Sequence, residues 1–294
     1  MNDNKSCAST SINWYPGHMA KTKKQIIQDL KLIDVVVEIL DARIPISSRN
    51  PDIAEIIKNK KKIVLLNKSD LSEEKENKKW IEYFEKNGIS AILVDCNLGK
   101  GIQESTNKIK DIMRDELKKD SQKGKVGSKI RVLVVGIPNV GKSSYINRAT
   151  KKVSAKVGNR PGVTVQKQWI KLDNQIEILD TPGVLWPKLS TEEIALNLAY
   201  TGTIKDEILE TTELGYRLLG YLMKNYEKNL IERYKLEGIQ TDGENPILKQ
   251  MEIIGQKRGA LMSGGRINLE KTANIILEDF RSGKIGKITL EKVK

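Results

Sequence analysis

The chain has 294 residues, 38% of them apolar and 30% charged, which is enough apolar content for packed cores and a length of about two domains. Its 51 Lys and Arg against 38 Asp and Glu leave a net charge of +13, a surplus that draws polyanions such as nucleic acid. One His and two Cys exclude a Cys-rich zinc site, a disulfide framework and any mechanism needing two histidines, and no apolar run reaches the ~18 residues of a membrane span.

The N-terminal segment, residues 1–29, carries Trp14-Tyr15-Pro16-Gly17-His18-Met19 and no hydrophobic leader. From residue 30 the pattern alternates between strands and helices. β-Branched runs at 33–40, 62–66, 91–94 and 130–135 read as strands buried on both faces, as in a parallel sheet. Helical patterns lie between them, at 80–86 and 102–117. The polar, basic stretch 118–129 reads as an exposed connector. Two further extended runs, 165–172 and 175–179, flank Asp173-Asn174 and predict a hairpin with an antiparallel edge strand. After Lys188 the pattern turns helical. Leu214, Leu218, Leu222 and Tyr226 form one stripe, Ile247, Leu248, Met251 and Ile254 a second, and Leu269, Ala273, Ile276, Leu277 and Phe280 a third, with Gly283 as a stop. The expectation is an α/β, mostly parallel, doubly wound sheet over 30–204 and a smaller all-helical domain over 205–294.

Gly136 to Ser143 matches G-x-x-x-x-G-K-[ST] between a strand and a helix. Such a loop, here Pro138, Asn139, Val140, Gly141, Lys142, Ser143 and Ser144, curls around the phosphates; every one of these residues except Pro138 has an N–H to turn towards phosphate oxygens, and the helix N-terminus adds partial positive charge. Lys142 reaches the β/γ-phosphates and the Ser143 hydroxyl ligates Mg²⁺. Asn67-Lys68-Ser69-Asp70 follows the strand 62–66, where ligand loops of open sheets emerge. Asp70 can accept from guanine N1–H and the 2-amino group, and adenine offers neither. Asn67 ties this loop to the phosphate loop, and the Lys68 stem covers the base. Asp180-Thr181-Pro182-Gly183 ends the strand 175–179. There Asp180 reaches Mg²⁺ through water and the Gly183 N–H meets the γ-phosphate. Thr164, in Pro161-Gly162-Val163-Thr164, supplies Mg²⁺ with a second hydroxyl, so both segments read as switches released on hydrolysis.

These motifs resemble those of the TRAFAC-class GTPases in a permuted order. The guanine motif comes first, then a base-contact loop of Asp95, Cys96 and Asn97, then the phosphate loop, Thr164 and the switch at 180–183. Circular permutation is physically accessible because the termini of compact domains lie close together. With Trp14 to Lys21, Leu40-Asp41-Ala42-Arg43 and the segment from Arg258-Gly259 to Gly265, the chain resembles the YlqF/RbgA family of ribosome biogenesis GTPases over nearly its whole length. That resemblance implies a cytoplasmic GTPase that binds GTP, GDP and Mg²⁺ and acts on a precursor of the large (50S) ribosomal subunit, through 23S-type rRNA and ribosomal proteins, with no DNA or membrane partner. It implies binding with GTP and release after hydrolysis. Cys96 departs from the Ser or Ala common in that family, and backbone contacts do not depend on its side chain.

Val184, Leu185 and Trp186 follow the switch motif, where Ras-like proteins carry a water-orienting Gln. The resemblance therefore assigns water positioning to His18, against the alternative of a turn cap or an rRNA phosphate contact. It assigns Asn139 to a K⁺ ion beside the β/γ-bridge, against the alternative of a side chain that holds the loop by a backbone hydrogen bond. Lys21, Lys23, Lys24, Lys58, Lys60 to Lys62 and the basic group at 118–131, and Lys257, Arg258, Arg266, Arg281, Lys284 and Lys287, are candidates for rRNA phosphates. Two other readings stay in view: a metabolic P-loop kinase, which leaves Asn67 to Asp70 unexplained, and an RNA-binding scaffold with a vestigial nucleotide site.

Overall fold

The computed structural model describes residues 17–124, 128–151, 168–180, 191–204 and 210–293. Six strands form one sheet: β1 (Val35–Asp41), β2 (Lys61–Asn67), β3 (Ser90–Leu93), β4 (Ile130–Val135), β5 (Gln168–Lys171) and β6 (Ile176–Asp180). Their order is β3-β2-β1-β4-β6-β5, with every neighbour parallel except the β5/β6 pair. All seven residues of β1 are buried, as the continuous apolar run requires of a central strand covered on both faces. Helices α1 (Gly17–Asp29), α2 (Pro51–Ile56), α3 (Glu74–Lys86), α4 (Ile102–Gln122) and α5 (Lys142–Thr150) accompany the strands. The β5/β6 hairpin turns on Asp173, whose carboxylate accepts from the backbone N–H of Gln175 and Ile176 at 2.8 Å each.

The chain then continues as α6 (Glu192–Tyr200), α7 (Thr211–Asn225), α8 (Glu227–Tyr234), α9 (Pro246–Lys257) and α10 (Leu269–Arg281). Side-chain caps fix several starts: Thr191 accepts from Ile194 N–H at 3.2 Å, Asn245 from Leu248 N–H at 3.0 Å and Asn268 from Lys271 N–H at 2.9 Å. Leu214, Leu218 and Leu222 of α7, Met251 and Ile254 of α9, and Ala273, Ile276, Leu277 and Phe280 of α10 are buried in one contiguous core that runs from the sheet into these helices, while Ile247, Leu248 and Leu269 are half-buried.

Two elements differ from the sequence pattern. The stretch 118–122 continues α4 instead of opening a connector. It has no apolar stripe, but Lys and Gln are good helix formers that need no buried face. Tyr226 does not extend the stripe of α7. It sits between α7 and α8 at φ −140°, buried, with its hydroxyl donating to Glu73 at 2.6 Å.

Candidate nucleotide site

The strand order reverses between β1 and β4, so the loops after their C-terminal ends bound a crevice. The phosphate loop leaves β4 at Gly136. A Cβ there would lie 2.6 Å from the Ile39 carbonyl oxygen of β1, so this exit from the sheet has room only for hydrogen. Val140 is buried, and Gly141 caps α5 at φ +99°, a left-handed conformation that costs glycine least. Lys142, buried at the first position of α5, donates from Nζ to the Ile137 carbonyl at 2.7 Å. Ser143 and Ser144 follow in the first helical turn, half-buried. Asn139 stands at φ +61°, and its Nδ2 donates to the Gly202 carbonyl at 2.7 Å.

The loop after β2 lies beside it. Asn67, buried, donates from Nδ2 to the Val140 carbonyl at 2.7 Å and accepts at Oδ1 from the Cys96 backbone N–H at 3.2 Å. One amide thus joins segments 73 and 29 residues away, and a Cβ at Gly141 would collide with it. Lys68 also takes a left-handed φ of +61°, so each of the two loops holds one strained non-glycine residue. Ser69 is pinned to the Val94 carbonyl through its N–H at 3.2 Å and its Oγ at 3.0 Å. Asp70 is half-buried; burial and the charge of Asp95 push its carboxyl above the ordinary value. Asp95 is buried and shapes its loop by accepting at Oδ1 from Asn97 N–H at 2.8 Å and Leu98 N–H at 3.0 Å. Arg148 of α5 grips the Asn97 carbonyl at 2.7 Å. Burial pushes the Cys96 thiol up to about 12, so it is a small apolar side chain here and not a reactive one.

The structure therefore brings Asn67, Lys68, Asp70, Asp95, Cys96, Asn97 and the loop 136–144 around one crevice. The backbone of Asp180 closes β6 beside β4, with Leu179 in register with Leu133. The Asp180 side chain, the His18 side chain, Thr164, Gly183 and Val184 lie outside the described residues. Of the Mg²⁺ donors expected, Ser143 fits in kind and in place: a hydroxyl in the first turn of the helix that follows the phosphate loop. Among the described residues no group of three or more His, Cys, Asp or Glu forms a metal cage by itself. No helix among them is long and apolar enough to cross a membrane.

Sequence reasoning passed over Asp41 and Arg43 as site residues. Both sit where β1 ends, under the guanine loop. Asp41 accepts from Arg43 Nε at 3.0 Å and Nη2 at 2.8 Å, and lies 2.9 Å from Lys68 Nζ. Burial would raise its carboxyl, but the two cations outweigh that and hold it well below the usual range. The available signal was an acid and a base at the end of a strand whose other residues, Glu38 apart, are apolar.

A parallel sheet whose crevice joins a G-x-x-x-x-G-K-S loop to an N-K-x-D loop, with the second earlier in the chain, defines a P-loop GTPase of permuted order. Comparison with known proteins agrees. Residues 131–242 match the family described as 50S ribosome-binding GTPase. Ribosome biogenesis GTPase A of Bacillus cereus is 46% identical over 95% of this chain and 93% of its own length, and the Thermotoga maritima protein of the same name is 32% identical over 96% and 94%. GDP-bound YlqF superposes with a TM-score of 0.64 at 28% identity, covering 91% of this chain and 98% of its own. The chain belongs to the ribosome biogenesis GTPase A family, and its reaction is hydrolysis of GTP to GDP and phosphate.

Proposed function

We propose that this GTPase acts in the cytoplasm on a precursor of the large ribosomal subunit, binding it in the GTP form and leaving after hydrolysis. The observation that carries the nucleotide site is the 2.7 Å bond from Asn67 to the Val140 carbonyl, which sets a guanine-reading loop against a phosphate loop. In this reading Asp70 accepts from the base, the Lys68 stem covers it, and the 95–97 loop closes over it. Backbone N–H groups of 139–144 and the Lys142 ammonium hold the phosphates. Ser143, Thr164 and Asp180 would hold Mg²⁺, which neutralises charge on the β/γ-phosphates, and Gly183 contacts the γ-phosphate. The helical domain, residues 205–294, with the basic groups of residues 1–29 and 58–62, binds rRNA phosphates. The relatives' names and the net charge of +13 support that partner.

His18 positions the attacking water, since Val184 cannot. Large-subunit precursor particles raise GTP turnover by the wild-type chain. His18→Ala keeps its nucleotide affinity and loses ~10²-fold of the stimulated rate, within the usual range for a positioned acid–base group. Single-turnover phosphate release with and without particles checks this, and an unchanged stimulated rate removes His18 from the reaction. A chain without particle stimulation refutes the ribosomal role itself.

Asn139 supports a K⁺ site. Its Nδ2 is engaged with the Gly202 carbonyl, and Oδ1, the acceptor atom of the same amide, is the atom able to ligate a cation. Hydrolysis in KCl is expected to exceed that in NaCl at equal ionic strength by at least ~10-fold, a small part of what a stabilising cation can supply. Equal rates remove K⁺ from the account.

A further inference from the structure

The guanine loop is held from below by the chain's own C-terminal segment. After α10 the backbone returns to the sheet as a strap, residues 283–292. Ile288 N–H donates to the Leu71 carbonyl at 2.9 Å, one residue past Asp70. Thr289 Oγ1 accepts from Glu73 N–H at 3.0 Å, and the Tyr226 hydroxyl donates to Glu73 at 2.6 Å and accepts from Thr289 N–H at 3.0 Å. Leu290 N–H donates to the Arg43 carbonyl at 3.0 Å. Glu291 caps the backbone N–H of Ile46 and Ser47, at 2.7 and 2.9 Å, while the Trp80 indole N–H donates to the Glu291 carbonyl at 3.0 Å.

Arg43 is the meeting point. It is 1% exposed, and its guanidinium stands 5.1 Å from the centre of the Phe280 ring on α10. Its fork grips Asp41, and Asp41 in turn holds Lys68 of the guanine motif. Arg43 Nη1 has no hydrogen-bond partner among the described residues. Two cations around one buried carboxylate are a poor way to stabilise a core, because apolar side chains of the same volume do so without the desolvation cost. The arrangement does fix one geometry, which a recognition loop needs. A loop whose Lys68 is strained at φ +61° keeps that conformation only when its surroundings over-determine it.

We propose that Asp41 and Arg43 are positioning residues for guanine recognition, through which the C-terminal strap 283–292 and Phe280 hold Lys68 and Asp70 in the base-binding geometry. This rests on the assignment of Asn67 to Asp70 as the guanine loop. It gives the helical part of the molecule a direct grip on the base end of the nucleotide, separate from the switches at the phosphate end. An event that lifts the strap loosens the base.

The test compares affinities of the full chain for GDP and for inosine diphosphate, which keeps N1–H and both phosphates and lacks the 2-amino group. A wild-type chain with no preference for GDP sinks the guanine-loop assignment, and the proposal with it. Arg43→Lys keeps the charge and loses the fork. It is expected to weaken GDP about tenfold and inosine diphosphate about threefold or less, because the separate phosphate loop still holds both nucleotides and inosine diphosphate has one base contact fewer to lose. Thr289→Val, nearly isosteric and on the strap alone, narrows the preference in the same direction by about threefold and covers the case that Arg43→Lys does not fold. A wild-type preference that survives both substitutions, or equal losses for the two nucleotides, overturns the proposal and leaves the guanine-loop assignment standing.

Discussion

Asp70→Asn lowers GTP affinity by ~10⁴-fold, the penalty for a site built around hydrogen bonds that its ligand no longer completes. The carboxylate offers two acceptors to two guanine donors. The carboxamide turns one of them into a donor, so a favourable contact becomes a repulsive one. The same change suits xanthine, which has a carbonyl where guanine has the amino group, so the variant is expected to prefer XTP. Competition of both nucleotides against a fluorescent analogue measures this directly, and a variant that still prefers GTP rules out Asp70 as the base-reading group. The wild type adds a pH signature. Burial and Asp95 raise the Asp70 carboxyl, and only its ionised form accepts both bonds. Affinity for GTP therefore falls as pH drops through that raised value, above the ~3.9 of an ordinary aspartate. The Asn variant lacks that limb.

What the sequence made legible was local. The four apolar runs become β1 to β4 because β-branched side chains stacked on both faces of a sheet need no long-range information to be recognised. The loops 67–70 and 136–143 are legible because the chemistry of phosphate and guanine fixes residue types at fixed spacing. The pairing of those loops also follows, since each ends a parallel strand on the same edge of the sheet. The strap is a different case. Residues 285–291 form neither a strand nor a helix, so no periodicity announces them, yet Ile285, Ile288 and Thr289 are buried, and Ile288 and Thr289 tie loops more than 200 residues earlier. Asn139 and Gly202 illustrate the same limit. A side chain whose Oδ1 can ligate a cation also binds a backbone carbonyl 63 residues away through its Nδ2, and only the fold shows that second bond. The buried ions at Asp41 and Arg43 are hidden for a further reason: Asp and Arg at a strand end ordinarily face water.

That buried group sets the second large effect. Asp41→Asn is expected to destabilise the chain by about 3–5 kcal/mol, as happens when one partner of a buried ion pair is removed and the other stays. Arg43 is 1% exposed and cannot swing to solvent, whereas Lys68 is 22% exposed at its side chain and can. Most of the loss therefore falls on Arg43, and urea unfolding of Asp41→Asn measures it. The pH dependence has a definite sign. The folded-state value of Asp41 lies below its unfolded value, so its contribution is fully present above ~4 and is lost as pH falls through the lower folded value. A partner substitution separates stability from recognition. Asp41→Leu combined with Arg43→Met replaces ions by apolar side chains, and it is expected to recover much of the stability that Asp41→Asn alone loses. It does not recover the preference for GDP over inosine diphosphate, because no carboxylate remains to hold Lys68. A double variant that regains both would mean that the pair fills volume and nothing more. A single variant that loses less than ~1 kcal/mol would mean that Arg43 finds another partner, and the ion pair would then hold neither the fold nor the loop.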